Sequence, residues 1–323
     1  MSQIYKVYVD GQEGTTGLRI HDYLAARPDI ELLRIDDSKR KDAAERARLL
    51  NSADVAFLCL PDAAAKEAVA LTTNPQTCII DASTAHRTQA DWVYGLPELV
   101  STQRSAIQGS KRIANPGCHA TAFILLMRPL IDAGLIAPHE AVSATSITGY
   151  SGGGKGMIAQ YEAHQGDLAA PRPYGLGLNH KHLPEMKAHT GLNFAPVFMP
   201  IVADFYKGLA VTVPLTLHSL SSRPSAAQLH QALHDRYSHE AFLRVMPLSD
   251  PESLQSGFFD VQGCNDTNRV DIFVFAHESQ ALLMARLDNL GKGASGAAVQ
   301  CMNIHLGCAE DAGLSSEVNH KVV

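Results

Sequence analysis

The stretch Ile4-Tyr5-Lys6-Val7-Tyr8-Val9-Asp10-Gly11-Gln12-Glu13-Gly14-Thr15-Thr16-Gly17 places a glycine-rich turn between an apolar strand and the start of a helix. Glycine permits a tight turn and a close approach of the backbone to a ligand, and a helix N-terminus offers N–H donors to phosphate. This order of strand, turn and helix predicts a nucleotide-binding sheet. We expect a dinucleotide pyrophosphate at Gly11, Gly14, Thr15, Thr16 and Gly17; a purely structural turn is the alternative.

The rest of the chain divides into two patterns. Strands are predicted at 31–35, 55–60, 78–80 and 111–114 and helices at 15–26, 42–50 and after Asp62, which is typical of a parallel sheet covered by helices. Apolar and β-branched segments at 141–148, 209–217, 270–276 and 281–287 indicate a mainly antiparallel sheet, before a last helix at 294–305. The 323 residues therefore predict an α/β protein with a Rossmann-type domain and an α+β domain.

The segment Asp36-Asp37-Ser38-Lys39-Arg40 follows the second predicted strand, where such folds contact the adenosine ribose. An acidic residue there would accept a hydrogen bond from a free 2'-hydroxyl. Ser38, Lys39 and Arg40 would instead bind a 2'-phosphate. The two signals conflict, and we favour the phosphorylated cofactor, NADP(H), with Ser38 as a ligand.

A single thiol lies in Asn115-Pro116-Gly117-Cys118-His119-Ala120-Thr121, just before an apolar helix predicted at 121–135. The N–H groups and the dipole at a helix N-terminus favour thiolate over thiol. A thiol beside a nicotinamide site suggests an acyl group that is held as a thioester and reduced by hydride transfer. The alternative is that Cys118 is a small buried apolar residue, as most free cysteines are.

The segment Asn179-His180-Lys181-His182-Leu183-Pro184-Glu185-Met186 supplies a proton donor and acceptor for such chemistry. His-x-His also binds metals, but the sequence shows no third cluster at metal-ligand spacing. We therefore favour acid–base histidines and expect no metal.

The composition of the chain limits the kinds of partner and compartment that we expect. The chain has a net charge of −6 and is 46% hydrophobic, which argues against nucleic acid or an anionic membrane as the main partner. Neither an apolar signal core nor a stretch long enough to span a bilayer is evident. The six cysteines contain no CxxC pair and suit a reducing compartment, and those at 59, 78, 301 and 308 read as core residues. We expect a cytoplasmic enzyme that acts on a small molecule.

A series of motifs resembles the N-acetyl-gamma-glutamyl-phosphate reductase family of arginine biosynthesis, in its shorter branch. The match covers nearly the whole chain, and the conjunction of Asn-Pro-Gly-Cys with His-x-His-x-Pro-Glu is specific. The motifs are Gly11-x-x-Gly14-x-x-Gly17, Asp81-Ala82-Ser83-Thr84-Ala85-His86-Arg87, Tyr94-Gly95-Leu96-Pro97-Glu98, Asn115-Pro116-Gly117-Cys118, Ser151-Gly152-Gly153-Gly154-Lys155, His180-x-His182-x-Pro184-Glu185 and Gly291-Lys292-Gly293-Ala294-Ser295-Gly296-Ala297.

The resemblance implies reduction of N-acetyl-gamma-glutamyl phosphate by NADPH through a thioester on Cys118. It implies that His182 transfers protons, that His180 contacts or orients the substrate and that Arg87 clamps phosphate. One position departs from the family, because the aromatic residue that often follows the cysteine in the long branch is His119 here.

The resemblance also implies cofactor contacts in the second half of the chain and a domain plan. Ser151 and Gly152 would approach the nicotinamide. The segment that contains Asn289 and Lys292 would bring the chain back to the cofactor. The NADP-binding domain would comprise 1–117 and 293–323. A catalytic domain at 118–292 would form a dimer or tetramer.

Two other readings remain open. A related acyl-phosphate reductase, such as one resembling aspartate-semialdehyde dehydrogenase, shares the fold and the use of cysteine with histidine, although the spacing His-x-His-x-Pro-Glu argues against it. A non-enzymatic NADP-binding regulator would use Cys118 as a redox sensor and would need no proton-transfer histidine.

Overall fold

The computed structural model describes residues 3–12, 14–163 and 167–317 and divides into two compact units. One unit comprises Met1–Gly117 and Ala294–Leu314, and the other comprises Cys118–Gly293 and Ser315–Val323. The division falls between the glycine and the cysteine of the Asn-Pro-Gly-Cys motif. Within the described ranges, none of the helices has the length and apolarity that crossing a membrane requires.

The first unit contains a six-stranded, all-parallel sheet in the order β2-β1-β3-β4-β6-β5. The order reverses around β1, so the carboxyl end of β1 lies at the point where such sheets bind nucleotides. Its elements are β1 (Tyr5–Asp10), α1 (Thr15–Leu24), β2 (Ile30–Leu33), α2 (Ala43–Ser52), β3 (Val55–Leu58), α3 (Asp62–Leu71), β4 (Cys78–Asp81), β5 (Val93–Tyr94), α4 (Gln103–Gly109) and β6 (Arg112–Ala114).

The second unit is built on a seven-stranded sheet in the order β11-β12-β13-β10-β7-β9-β8, with four antiparallel and two parallel pairings. Its elements are α5 (Cys118–Asp132), β7 (Ser143–Gly149), α6 (Gly154–Ala163), β8 (Arg172–Pro173), α7 (Leu183–Thr190), β9 (Val197–Ala203), β10 (Leu209–Thr216), α8 (Ala226–Tyr237), β11 (Leu243–Val245), β12 (Val270–His277) and β13 (Gln280–Leu287).

The last helix, α9 (Gly296–Leu306), returns to the first unit. Its Val299 and Met302 are fully buried in the same cluster as Ile20 of α1 and Val7 of β1, so α1 and α9 cover one face of the parallel sheet. Helices α2 and α3 cover the other face through residues such as Leu50. Helix α9 therefore completes the core of the first unit.

The predicted fold class is confirmed, with corrections to several boundaries. Helix α5 begins at Cys118 and not at residue 121, which makes the thiol part of the first helical turn. Helix α9 runs from Gly296 to Leu306, within two residues of the predicted bounds, and Cys308, which lies after it, is only partly buried. The strand β9 was not predicted, because Pro200 interrupts its run of apolar residues and proline within such a run argues against a strand.

Candidate active site

The turn between β1 and α1 depends on glycine at two positions. Gly11 has φ +89°, and a Cβ there would lie 2.4 Å from the carbonyl oxygen of Cys59. A Cβ on Gly17 would lie 2.5 Å from the carbonyl oxygen of Gly11. Gly14 directly precedes α1, and its N–H donates to the carbonyl of Gly11 at 3.0 Å. These approaches bring the N–H groups of the first helical turn to the edge of the sheet, as a pyrophosphate site requires.

The two threonines that begin α1 differ in their surroundings. Thr15 Oγ1 is buried and has no hydrogen-bond partner among the described residues. The carbonyl of Thr16 accepts a hydrogen bond from Ser295 Oγ at 3.1 Å. A buried hydroxyl without a partner at a helix N-terminus fits a site that a phosphate oxygen completes.

A cavity of about 590 Å³ lies beside this turn. Arg40, Lys41 and Arg46 lie on its wall together with Asp10, the last residue of β1. Arg46 donates to Asp10 Oδ2 from Nε at 3.1 Å and from Nη2 at 2.9 Å, a buried ion pair. The cavity therefore combines an aspartate held by arginine with two further cations.

Ser38 does not line that cavity. Its N–H and its hydroxyl both donate to Asp36, and these hydrogen bonds lower the pKa of the exposed Asp36 carboxyl. Lys41 and Arg46, which the sequence analysis did not name, do line the cavity. The only sequence signal for them was their positive charge shortly after the second strand.

The segment after β4 holds a second polar cluster in the first unit. Asp81 Oδ2 lies 2.6 Å from His86 Nδ1, and the ring of His86 stacks on Trp92 at 4.0 Å. The Nε of the buried Arg87 donates to the carbonyl of Asn115 at 2.9 Å, and its Nη2 donates to that of Ala82 at 3.0 Å. The guanidinium plane of Arg87 is thus fixed by two backbone carbonyls, one of them in the loop that leads into Cys118.

In the second unit, Cys118 is partly exposed on the first turn of α5. The turn that contains Gly293 packs closely against it, because a Cβ on Gly293 would lie 2.8 Å from Cys118 Cβ. A substitution at Gly293 would therefore displace the thiol.

Two histidines, His119 and His182, lie beside Cys118, and a third, His180, contacts both of their rings. The Sγ of Cys118 and one ring nitrogen each of His119 and His182 lie within 4.8 Å of one another. The ring centroids of His180 and His182 are 4.8 Å apart, and the N–H of His182 donates to Nδ1 of His180 at 3.2 Å. His182 therefore lies within reach of the thiol, and His180 supports it from behind.

Helix α5 also carries His119 into a buried hydrogen-bonded chain. Its Nδ1 lies 2.8 Å from Ser146 Oγ on β7, and its Nε2 lies 3.0 Å from the hydroxyl of Tyr174. The sequence analysis treated His119 only as a departure from a family pattern and did not name Ser146 or Tyr174. No local signal marks those two, because they reach the site through the sheet.

Burial determines the charge of this cluster. Burial, with a smaller contribution from the charge of Lys181, lowers the pKa of His119 to about 3 and that of His180 to about 4. Burial also raises the pKa of Tyr174, and a smaller contribution comes from Cys118. At neutral pH, His119 and His180 are therefore uncharged and act as hydrogen-bonding groups.

The remaining predicted cofactor residues lie in the second unit. Asn289 Nδ2 donates to Ser151 Oγ at 2.9 Å, and a Cβ on Gly152 would lie 3.7 Å from the same nitrogen. Ser151, Gly152 and Asn289 thus form one polar group. Lys292 is fully buried, with its Nζ 5.9 Å from the centre of the Phe242 ring. This burial favours a role in holding the turn over direct contact with a ligand.

Comparison with known proteins identifies the family of each half. Residues 6–108 match the semialdehyde dehydrogenase NAD binding domain, and residues 118–289 match the semialdehyde dehydrogenase dimerisation domain. The chain is 49% identical to N-acetyl-gamma-glutamyl-phosphate reductase 2 of Nostoc sp. over 318 residues, which cover 96% of this chain and 99% of the relative. The protein belongs to the N-acetyl-gamma-glutamyl-phosphate reductase family. The resemblance inferred from the motifs is confirmed.

Further relatives agree with this membership. The N-acetyl-gamma-glutamyl-phosphate reductase of Burkholderia lata is 45% identical over 307 residues, 94% of this chain and 97% of the relative. Among solved structures, aspartate semialdehyde dehydrogenase II of Vibrio cholerae superposes with a TM-score of 0.71 over 95% of this chain and 99% of that one. At 16% identity, this likeness shows a common fold and nothing finer.

Proposed function

We propose that the protein reduces N-acetyl-gamma-glutamyl phosphate to N-acetylglutamate 5-semialdehyde and phosphate with NADPH, as a step of arginine biosynthesis. The observation that carries this proposal is the partly exposed thiol of Cys118 on the first turn of α5, with a ring nitrogen of His182 within 4.8 Å. Family membership selects this acyl phosphate over that of aspartate, because relatives that carry the reductase name are 44–49% identical over nearly the full chain.

The chemistry begins at Cys118. Its sulfur, as the thiolate, attacks the acyl carbon of the substrate, the carbon–oxygen bond to phosphate breaks, and a thioester forms on the protein. NADPH, when bound, supplies a hydride to the thioester carbon. The resulting hemithioacetal collapses, which releases the semialdehyde and regenerates the sulfur of Cys118.

His182 is the proton donor and acceptor in this proposal. As the thioester carbonyl becomes a hemithioacetal, its oxygen gains a proton, and the collapse removes that proton again. His182 lies beside the sulfur, whereas both ring nitrogens of His119 already lie within hydrogen-bonding distance of Ser146 and Tyr174. We therefore assign proton transfer to His182 and orientation of its backbone to His180.

Arg87 is the proposed phosphate clamp. Two backbone carbonyls fix the plane of its guanidinium, and a fixed planar fork suits bidentate binding of phosphate oxygens. Asp81, His86 and Trp92 form a rigid support on the same segment.

We propose that the first unit, with its boundary at residue 117, binds NADP(H). The pyrophosphate lies at the N-terminus of α1, where Thr15 Oγ1 has no hydrogen-bond partner among the described residues. The 2'-phosphate of the adenosine ribose lies in the cavity with Arg40 and Lys41. Ser38 contributes by fixing Asp36 and not by contacting the phosphate. Ser151, Gly152 and Asn289 receive the nicotinamide end.

The second unit also carries a proposed interface with a second copy of the chain. One face of its sheet packs against α5 and α8, whereas the opposite face exposes apolar side chains on neighbouring strands. Paired positions in the register place these side chains on one surface. They are Ile147, Val197, Met199, Pro214 and Leu282. An apolar sheet face of this kind fits a homodimer, in keeping with the dimerisation domain that the family model describes.

We place the enzyme in the cytoplasm. All six cysteines are free thiols, and the proposed nucleophile must remain reduced to act.

The decisive experiment measures phosphate-dependent reduction of NADP with N-acetylglutamate 5-semialdehyde, beside aspartate semialdehyde and NAD as competing substrate and cofactor. We expect turnover of the acetylated substrate only, loss of turnover in Cys118→Ser, and full activity in the control Cys308→Ser, which removes a partly exposed thiol outside the site. Preference for aspartate semialdehyde would indicate that the protein is one of the related acyl-phosphate reductases. Intact NADP binding without turnover of either aldehyde would favour a regulator.

A further inference from the structure

Three ligands of the kind that zinc prefers meet at the first turn of α5. Within the described residues, one group of at least three histidine, cysteine or acidic side chains is close enough to hold an ion, and it consists of Cys118, His119 and His182. Their ligand atoms lie within 4.8 Å of one another. Cys118 is partly exposed, so an ion from solvent can reach the sulfur.

The spacing of these atoms is close to that of a tetrahedral zinc site. With Zn–S and Zn–N bonds of about 2.3 and 2.0 Å, the sulfur and the two nitrogens of a tetrahedral site lie roughly 3.3 to 3.5 Å apart. The separations here are at most 4.8 Å, so the side chains must rotate to shorten them by up to about 1.5 Å. One thiolate and two imidazoles form a donor set that zinc favours over magnesium or calcium.

The hydrogen bonds of His119 prepare its ring for a metal. Metal-bound imidazoles usually donate their second N–H to a neighbouring oxygen, and Nδ1 of His119 already lies 2.8 Å from Ser146 Oγ. A ring nitrogen of His119 lies within 4.8 Å of the sulfur of Cys118. Because Nδ1 stays with Ser146, Nε2 is the nitrogen that an ion would take, and the ion would replace the hydroxyl of Tyr174, 3.0 Å away, as its partner.

We propose that Cys118, His119 and His182 form an inhibitory site for Zn²⁺ that reversibly blocks the sulfur of Cys118. On binding, the S–H bond breaks, a Zn–S bond forms and the proton passes to water, with no change of oxidation state. His119 is decisive because it provides the third ligand. The inhibition rests on the proposed role of Cys118 as nucleophile, whereas zinc binding does not depend on the substrate.

Equilibrium dialysis with Zn²⁺ tests the site directly. We expect one tightly bound zinc per wild-type chain, at least roughly tenfold weaker binding in His119→Phe and His119→Asn, and loss of that zinc in Cys118→Ser. Asparagine keeps a polar side chain near Ser146, so one of the two His119 variants remains interpretable if the other folds poorly. The matched control is His234→Gln, because His230 and His234 on α8 form an exposed histidine pair with ring centroids 6.3 Å apart.

Alkylation of Cys118 by iodoacetamide supplies a second readout. Zn²⁺ should slow modification of the Cys118 peptide, measured by mass spectrometry, and EDTA should restore it. Zinc binding that is abolished by His234→Gln, or that is unchanged by both His119 variants, would overturn the proposal. If the wild-type protein binds zinc at this site but has no reductase activity, that result would contradict the proposed function and not the zinc site.

Discussion

The backbone N–H of His182 donates to Nδ1 of His180 at 3.2 Å. Nδ1 of His180 is thus the acceptor, so the proton of its neutral ring lies on Nε2. The low pKa of His180, about 4, keeps this arrangement at neutral pH. His180 therefore fixes the backbone that carries His182 and leaves proton transfer to the second histidine of the motif.

Replacing His182 with asparagine should separate proton transfer from acylation. We expect turnover to fall by about 10² to 10⁴, because a positioned general acid–base residue contributes that much. Thioester formation on Cys118 should fall less, since attack by the sulfur does not pass through the same proton. Rapid-quench measurement of phosphate release against NADPH oxidation tests the division, and equal losses in both steps would refute it.

Replacing Gly11 with alanine should impair cofactor binding and stability together. The new Cβ would lie 2.4 Å from the carbonyl of Cys59, at a φ that alanine rarely adopts. We expect about 1–3 kcal/mol lower stability and at least a tenfold higher KM for NADP. The control is Gly109→Ala in the same unit, where no atom lies within 4 Å of the new Cβ. Urea unfolding and cofactor titration measure both effects, and similar behaviour of the two variants would argue against the turn as a binding site.

The preference for NADP over NAD should depend on Arg40 and Lys41. Both line the cavity beside the β1–α1 turn, whereas Lys39 does not. The double variant Arg40→Ala, Lys41→Ala should raise KM for NADP by roughly ten- to a hundredfold with little change for NAD, because only NADP carries the 2'-phosphate. The control is Lys39→Ala, which removes one neighbouring positive charge that does not line the cavity. If Lys39→Ala has the larger effect, or if NAD is affected equally, the assignment of the 2'-phosphate site is wrong.

Acid should destabilise the second unit through His119. Burial lowers its folded-state pKa to about 3, below an unfolded value of about 6.5. Its contribution is therefore fully present above pH 6.5 and is lost as the pH falls toward 3, since the unfolded state binds the proton first. At pH 5 the loss amounts to about 2 kcal/mol.

His119→Phe should show a shallower decline in the free energy of unfolding between pH 7.5 and 5 than the wild type. The exposed residue His239 provides the control variant His239→Gln, which should retain the wild-type decline. Parallel curves for His119→Phe and wild type would show that the neutral ring is not the source of the acid sensitivity.

A charged residue on the exposed apolar face of the second unit's sheet should dissociate the proposed dimer. Met199 is 41% exposed on β9, one of the four strands that carry the apolar surface. Met199→Glu should shift the protein from dimer to monomer in sedimentation velocity, because an unpaired carboxylate in an apolar interface is costly. Leu18→Glu, at an exposed apolar position on α1 of the first unit, is the control and should not change the sedimentation coefficient. A dimer that survives Met199→Glu would place the interface elsewhere.

Local patterns in the sequence determined the glycine turn, the alternating elements and the place of Cys118 near a helix start. These features depend on neighbouring residues, since backbone conformation and amphipathic period are local properties. The motifs also carried the family resemblance over nearly the whole chain.

Only the tertiary structure decided which side chains share a site. Ser146 and Tyr174 meet His119 across 27 and 55 residues, because the order of strands in a sheet brings distant segments together. Sheet packing also placed α9 on the first unit and brought Lys41, instead of Ser38, to the cavity wall. Long-range pairing leaves no periodic trace in the sequence, so these relationships follow from the fold alone.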